Sequence, residues 1–352
     1  MITSWLRHTS AAFATLVVAV SSALVSSPAA AGTVKDTGSA RSQRQTYVAL
    51  GDSYSSGEGT GSYLSGTDRR KNRCHRSPVA YGPLLRAPES PPDAFSFVAC
   101  SGALTHDFYH RNHRFKDEPA QLKALSDQTG AVTLTIGGND VGFAQVAAVC
   151  LHTALGELPG LGFGCSDSKL VNRSVQLRLG GLAGTVRAAD PAGYAITPVA
   201  TVLRDIHSRA PGASIYLAGY PDLFGSSREH FRSDKAAPSG HSCLVNRRLG
   251  ARVDFADAQW FNKSTHRLNA VFIEAVRQST ADGISAHYVA PAGFAGHGLC
   301  DAAEPWVRPI TIKAKGNPFA ESFHPTPAGQ AGGYLPAFQQ AGLVFDGRAP
   351  VS

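Results

Sequence analysis

The sequence contains little that points to a fibrous, repetitive or nucleic-acid-binding protein. It has no repeat, heptad or low-complexity tract, and its 36 glycines and 21 prolines among 352 residues are typical of a loop-rich globular chain. Charged residues make up only 17% of the chain, and the Lys and Arg residues behind its net charge of +7 are scattered. The densest basic stretch, Asp68 to Arg76, is short and is best explained as a solvated loop. We therefore expect no nucleic-acid partner.

Metal-ligand spacing is also missing. No two of the six cysteines stand two residues apart, as structural zinc sites usually require. His297 and the group His106, His110 and His113 lack the spacing of a metal site as well, and are best explained as solvated or core histidines. We expect no metal and no organic cofactor.

An even number of cysteines is typical of a protein exported to an oxidising compartment. Six cysteines allow 15 connectivities, and the sequence alone does not choose among them. Sequential pairing is the simplest and joins Cys74 to Cys100, Cys150 to Cys165, and Cys243 to Cys300.

The N-terminus lacks an uninterrupted apolar run long enough for a membrane anchor. One positive residue, Arg7, precedes an apolar stretch from Ala11 to Val25, and small residues ending at Ala31 follow. Ser21 and Ser22 interrupt this stretch, whereas a membrane span needs about 18 or more apolar residues. The pattern predicts a signal peptide over residues 1–31, and therefore a secreted, extracellular protein.

The mature chain divides into a short tail and one domain. Residues 32–45 are polar and without periodicity, which predicts a flexible N-terminus. Residues 46–345 are interpreted as a single domain. Its loop-rich stretches Gly59–Pro92 and Cys150–Pro198 carry cysteines and are interpreted as disulfide-bonded insertions.

Short apolar runs predict buried strands. They are Thr46–Leu50, Ala94–Ala99, Ala131–Ile136, Ala213–Ala218 and Ile284–Val289. Helical spacing over Thr197–Arg209 and Asp254–Gln278 precedes the last two runs. This alternation predicts an α/β fold with a mostly parallel sheet of about five strands between helical layers, a three-layer α/β/α sandwich. Ligands of such folds bind at the carboxyl ends of the strands.

A candidate nucleophile follows the first predicted strand. The segment GDSYSSGEG places Ser53 at a strand-to-turn junction that suits an exposed nucleophile. Ser53 is alternatively an ordinary helix N-cap. A serine hydroxyl is a weak nucleophile, so catalysis needs a base beside it and donors for the oxyanion.

Three further segments offer those partners. Asn139 in GGND follows the third predicted strand and can donate its side-chain amide, although this segment also suits a plain turn. Gly102 in ACSGALT follows the second strand and offers a backbone N–H. Near the C-terminus, ESFHP places Glu321 three residues before His324, where an acid can orient an imidazole.

These four ordered segments together resemble those of the GDSL/SGNH hydrolases, which have a flavodoxin-like α/β fold. The cysteines and the predicted secretion resemble the extracellular actinobacterial lipase and esterase branch. The resemblance implies Ser53 as nucleophile, His324 as general base, and Ser53, Gly102 and Asn139 as oxyanion donors. Glu321 departs from the usual Asp, so either Glu321 completes a triad or a backbone carbonyl of this segment orients His324 in a dyad.

The expected activity is hydrolysis of lipid or fatty-acyl carboxylic esters by a monomer that contacts lipid surfaces transiently. A phospholipase of the A/B type or a polysaccharide acetyl esterase is the alternative. A non-catalytic secreted binding protein is disfavoured because nucleophile, base and donors are all present. Trp260, Trp306, Phe294 and residues 161–163 are candidates for an acyl-binding groove, with core packing as the default explanation.

Overall fold

The computed structural model describes residues 46–86, 91–152, 164–248, 250–311, 320–343 and 345. The predicted signal peptide and flexible N-terminus lie outside these residues, as do residues 161–163 of the candidate groove. The described residues all belong to one compact unit. Within these ranges, no helix is long and apolar enough to cross a membrane.

A parallel sheet of five strands lies at the centre, in the order β2-β1-β3-β5-β9, and a four-stranded antiparallel sheet, β4-β8-β7-β6, lies apart from it. The strands are β1 (Thr46–Ala49), β2 (Phe95–Phe97), β3 (Thr129–Leu134), β4 (Leu151–His152), β5 (Ser214–Ala218), β6 (Arg232–Ser233), β7 (His241–Asn246), β8 (Ala251–Asp254) and β9 (Ala286–Val289). The predicted mostly parallel five-stranded sheet is confirmed.

Helices surround the central sheet. They are α1 (Ser53–Ser56), α2 (Tyr81–Leu85), α3 (Gly138–Val141), α4 (Phe143–Val149), α5 (Lys169–Leu182), α6 (Val199–Arg209), α7 (Phe255–Ala281) and α8 (Leu335–Gln340), and a π-helix over Gly329–Tyr334 leads into α8. The longest, α7, begins where the Asp254 side chain accepts a hydrogen bond from Ala256 N. Its face with Leu268, Phe272 and Ala275 is buried, as the helical spacing predicted.

The apolar runs form strands because both faces of the sheet are covered. Tyr47, Val48 and Ala49 of β1 are all buried, and so are Ile215 and Leu217 of β5. Burial on both faces removes the alternation of polar and apolar residues that a half-exposed strand would show. The site is therefore built on a rigid support.

Several observed elements were not predicted from the sequence, among them a long helix and a hairpin. The stretch Cys150–Pro198, interpreted as a loop-rich insertion, contains the helix α5. This helix is capped by Ser168, whose side chain accepts from Val171 N, and it buries Val175, Leu179 and Leu182. Its adjacent glycines Gly180 and Gly181 and its mixed polar composition concealed this pattern. The β7–β8 hairpin was also missed, because these strands lie outside the main sheet and have shorter buried patterns.

The cysteines pair sequentially. Disulfides join Cys74 to Cys100, Cys150 to Cys165 and Cys243 to Cys300, with Cα–Cα distances of 4.0, 4.8 and 5.9 Å. The first joins the loop after α1 to the loop after β2. It therefore ties together two segments that border the candidate site.

Candidate active site

The candidate nucleophile lies at the carboxyl end of β1. Leu50 N donates to Thr133 O and Asp52 N donates to Thr135 O, so the chain stays bound to β3 as it leaves the strand. Gly51 has a φ of +118°, and a Cβ there would lie 2.4 Å from Thr135 O. Only glycine fits such a turn without strain. The turn makes Ser53 the first residue of α1, and 4% of the Ser53 surface is exposed.

The helix that begins at Ser53 is capped by the preceding residue. Asp52, rather than Ser53, is the N-cap, and its Oδ1 accepts from Tyr54 N at 3.0 Å and from Thr135 Oγ1 at 2.7 Å. Tyr220 OH donates to Asp52 Oδ2 and accepts from Gly138 N at 3.0 Å. Burial raises the pKa of Asp52 to about 6, although these hydrogen bonds oppose the shift. The alternative of Ser53 as an N-cap is therefore wrong, and its hydroxyl remains available for other contacts.

Ser53 and His324 are in direct contact. Ser53 Oγ lies 2.7 Å from His324 Nε2, although the two residues are 271 positions apart. This is the distance at which a histidine can take a hydroxyl proton. Burial lowers the pKa of His324, which favours the neutral ring that a general base requires.

Backbone pairing orients His324. Arg308 N donates to His324 O at 2.8 Å, and Phe323 N donates to Arg308 O at 2.9 Å. Phe323 has a φ of +63°, a left-handed conformation that is costly for a bulky residue. Tyr54 OH holds this turn by donating to Phe323 O at 2.6 Å. The residue after the nucleophile thus helps to place the base.

Glu321 does not bind the free nitrogen of His324. Its Oε1 accepts from Tyr63 OH at 2.6 Å, whereas His324 Nδ1 makes no hydrogen bond with any residue that the structure describes. The backbone groups of Ser322 and Glu321 raise the pKa of His324 in opposition to burial. The geometry therefore favours a dyad with backbone groups beside Nδ1 over a triad completed by Glu321.

The two candidate oxyanion segments meet beside Ser53. Gly102, with a φ of +79°, follows the Cys74–Cys100 disulfide, and Ser101 N donates to Cys74 O at 3.0 Å. Asn139 Nδ2 donates to Ala103 O at 3.0 Å, which brings α3 against this loop. In the described part of the chain, the backbone N–H groups of Ser53 and Gly102 donate no hydrogen bond. Two unused N–H donors and one side-chain amide thus lie on loops that meet next to the turn of Ser53, where Cys100 N donates to Gly51 O at 3.0 Å.

Two aspartates beside these residues have structural contacts. Asp140 accepts from Thr105 N at 3.1 Å and from Thr105 Oγ1 at 2.6 Å, and Asp52 caps α1 as described above. Burial raises the pKa of Asp140 to about 7 against these hydrogen bonds. Both aspartates therefore hold the loops of the site in place.

The aromatic residues proposed for a groove pack largely in the interior. Phe294 is buried and contacts Tyr334 and Trp306 edge-on, at centroid distances of 5.1 and 6.1 Å. Trp260 Nε1 donates to Asn172 Oδ1 at 2.7 Å. Their contacts are those of packed structural residues.

Sequence reasoning missed a buried polar cluster beside His324. Glu58, Tyr63 and His75 lie in the loop after α1, in a stretch that contains no strand or helix pattern. Glu58 has no exposed surface and contacts His75 Nδ1 at 2.5 Å and Tyr63 OH at 3.2 Å. The one available signal was a glutamate between the glycines of GDSYSSGEG, directly after the nucleophile helix.

Known proteins resemble this chain over most of its length. Residues 49–331 match the GDSL-like lipase/acylhydrolase family. The chain is 33% identical to a lipase from Streptomyces rimosus over 325 residues, 92% of this chain and 97% of that one. It is 32% identical to lipase 1 from Streptomyces coelicolor over 299 residues, which are 84% and 86% of the two chains.

Solved structures share the fold. Phospholipase A1 from Streptomyces albidoflavus NA297 is 29% identical with a TM-score of 0.57, covering 85% of this chain and 99% of that one. An extracellular lipase from Streptomyces rimosus is 29% identical with a TM-score of 0.55, covering 84% and 99%. Fold and relatives define an ester-hydrolysing serine hydrolase. The chain belongs to the GDSL-like lipase/acylhydrolase family.

Proposed function

We propose that this protein hydrolyses lipid or fatty-acyl carboxylic esters through an acyl-serine intermediate formed on Ser53. The contact of 2.7 Å between Ser53 Oγ and His324 Nε2 supports this proposal most directly. The hydroxyl, the neutral ring and the unused N–H donors together supply what acyl transfer requires.

Acylation begins when Ser53 Oγ attacks the ester carbonyl while its proton passes to His324 Nε2. The negative charge on the carbonyl oxygen is held by Ser53 N–H, Gly102 N–H and the Asn139 amide, which exchanges its contact with Ala103 O for the oxyanion. When the intermediate collapses, the alcohol leaves with the proton from His324. Water then attacks the acyl-serine carbonyl while its proton passes to His324 Nε2; the bond to Ser53 Oγ breaks, His324 returns the proton to Ser53 Oγ, and the carboxylic acid leaves.

The lipid substrate is supported by the relatives, three of which are named lipases. A phospholipid substrate is the second candidate, because the similar structure from Streptomyces albidoflavus is titled a phospholipase A1. Secretion is supported by the N-terminal pattern of residues 1–31 and by the extracellular lipase among the similar structures. We propose a monomer that contacts lipid surfaces transiently.

The test uses the purified chain from residue 32 onward, a fluorophosphonate probe and p-nitrophenyl esters from acetyl to palmitoyl, with a phospholipid included. We expect labelling of Ser53, and faster hydrolysis of longer acyl chains than of acetyl. Ser53→Ala is the matched control and should lose both labelling and turnover. A folded wild-type protein that is not labelled would contradict the mechanism, whereas acetyl preference would contradict only the lipid assignment.

A further inference from the structure

A buried carboxylate lies near the candidate base, on the nucleophile's own loop. Glu58 stands two residues after α1 and has no exposed surface. The next residue, Gly59, packs directly on the base, because a Cβ on Gly59 would lie 2.7 Å from His324 Cβ. Arg308 fixes this contact by donating from Nε to Gly59 O at 2.6 Å and from its backbone N to His324 O at 2.8 Å. Arg308 thus joins the loop of Glu58 to the turn of His324 by two hydrogen bonds, one to each segment.

Glu58 is held in its ionised form by its neighbours. His75 Nδ1 contacts Glu58 Oε2 at 2.5 Å, and Tyr63 OH contacts Glu58 Oε1 at 3.2 Å. The Tyr63 ring stacks on the His75 ring at 4.4 Å. Burial alone would raise the pKa of Glu58, but contacts led by the His75 hydrogen bond bring it below its ordinary value. A buried negative charge therefore persists beside the base.

The acid expected from the sequence is less well placed. Glu321 stands three residues before His324 but directs its carboxylate to Tyr63 OH, and His324 Nδ1 does not bind it. Burial lowers the pKa of His324; among the charged groups that oppose this effect, Glu58 raises the pKa more than Glu321 does. Both observations indicate Glu58 as the main electrostatic partner of the protonated ring.

We propose that Glu58 is a positioning residue whose buried charge stabilises the His324 imidazolium, taking over the electrostatic role expected of the acid three residues before the histidine. This inference rests on the proposed acyl-serine mechanism, in which His324 becomes positively charged as Ser53 attacks. A charge without solvent contact acts at low dielectric and is little screened by salt. Glu58 therefore favours the transition state over the neutral resting state.

The charged and titratable groups around Glu58 and His324 determine whether the pKa of His324 rises or falls when Glu58 is replaced. Tyr63, His75 and Asp68 lie on the Glu58 side, where His75 Nε2 contacts the exposed Asp68 carboxylate at 3.1 Å. Glu321 and Arg308 lie near His324, and Asp52 lies on the other side of Tyr54. Glu58→Gln keeps the size of the side chain, and no negative charge replaces the one removed. The pKa of His324 should then fall further.

The experiment measures kcat/KM for a soluble p-nitrophenyl ester against pH, together with the rate of fluorophosphonate labelling of Ser53. In Glu58→Gln we expect the acid limb of both pH profiles, for kcat/KM and for labelling, to move to a pH about one unit lower. We expect kcat to fall roughly tenfold. The shift should persist at high salt because the charge is buried. Glu58→Asp, which keeps the charge, should return the limb toward that of the wild type.

Asp68→Asn is the matched control, since it removes a carboxylate from the same His75 at an exposed position; its limb should stay in place. An unmoved limb in folded Glu58→Gln would overturn the role of Glu58 while leaving the proposed function intact, because wild-type labelling tests that function separately. If Glu58→Gln does not fold, Glu321→Gln decides. A limb shift of one unit in Glu321→Gln would assign the role to Glu321, and a shift of less than half that size supports Glu58.

Discussion

Removing Glu321 should reduce turnover far less than removing Ser53. Glu321 is 6% exposed, and Glu321→Ala deletes a carboxylate that accepts a 2.6 Å hydrogen bond from Tyr63 OH. It deletes no hydrogen bond to His324 Nδ1, because that nitrogen binds none of the described residues. The substitution therefore changes the local packing and charge but leaves the contact between Ser53 and His324 in place.

The magnitude follows from these contacts. In triads that depend on an orienting acid, its loss costs about 10⁴-fold in kcat. Here the side chain of Glu321 acts on His324 through its charge, and its backbone contacts remain in the variant, so we expect a loss below about tenfold, equivalent to roughly 1.4 kcal/mol. The free energy of unfolding should fall by about 1.5 kcal/mol, because Tyr63 OH loses a charged acceptor. Its contact with Glu58 Oε1 at 3.2 Å remains.

The assay compares kcat for a p-nitrophenyl ester in wild type, Glu321→Ala, Ser53→Ala and Tyr63→Phe, with the free energy of unfolding measured in urea. Ser53→Ala should lose on the order of 10⁶-fold. Tyr63→Phe removes the donor but keeps the Glu321 carboxylate, so its effect should fall mainly on stability. Equal losses in Glu321→Ala and Ser53→Ala would refute the dyad and restore Glu321 as a catalytic acid.

Three further predictions concern the site. Gly59→Ala should fold yet lose at least about tenfold in kcat, because its Cβ would lie 2.7 Å from His324 Cβ at a φ of +92°; wild-type kcat would contradict this packing. Asn139→Ala should lower kcat by about 10²–10³-fold with little change in KM, as loss of one oxyanion donor does; an unchanged kcat would exclude that role. Burial raises the pKa of Asp140 from 3.8 to about 7, so the folded state holds this proton more tightly than the unfolded state, and the free energy of unfolding should fall as pH rises through that range. Asp140→Asn should flatten this dependence in urea titrations, and an unaltered slope would contradict it.

The residues that follow strands could be predicted from sequence because their positions depend on local pattern. Ser53 and Asn139 come directly after buried apolar runs, and parallel strands bring such positions to one edge of a sheet. Adjacent strands β2, β1 and β3 supply Gly102, Ser53 and Asn139 in that order across the sheet. The edge at which they meet was therefore predictable before any contact was seen.

Side-chain direction within a segment could not be predicted in the same way. Glu321 has the residue type and spacing of an orienting acid, yet Tyr63, 258 positions away, binds its carboxylate. Glu58 has no pattern that separates it from a surface glutamate, and its burial depends on His75 and on the turn at His324. The helix α5 was missed for a related reason, since its burial depends on contacts with distant elements rather than on its composition.

The sequence by itself determined the class of fold, the sequential order of the site segments and the identity of the candidate nucleophile and base, because buried strands and glycine turns are encoded by neighbouring residues. Tertiary structure alone decided which carboxylate is fully buried near His324. That choice is made by packing between residues more than 200 positions apart, where an exposed and a buried glutamate read alike in the sequence. The charge that stabilises the base is therefore a property of the fold, even though the base itself can be found in the sequence.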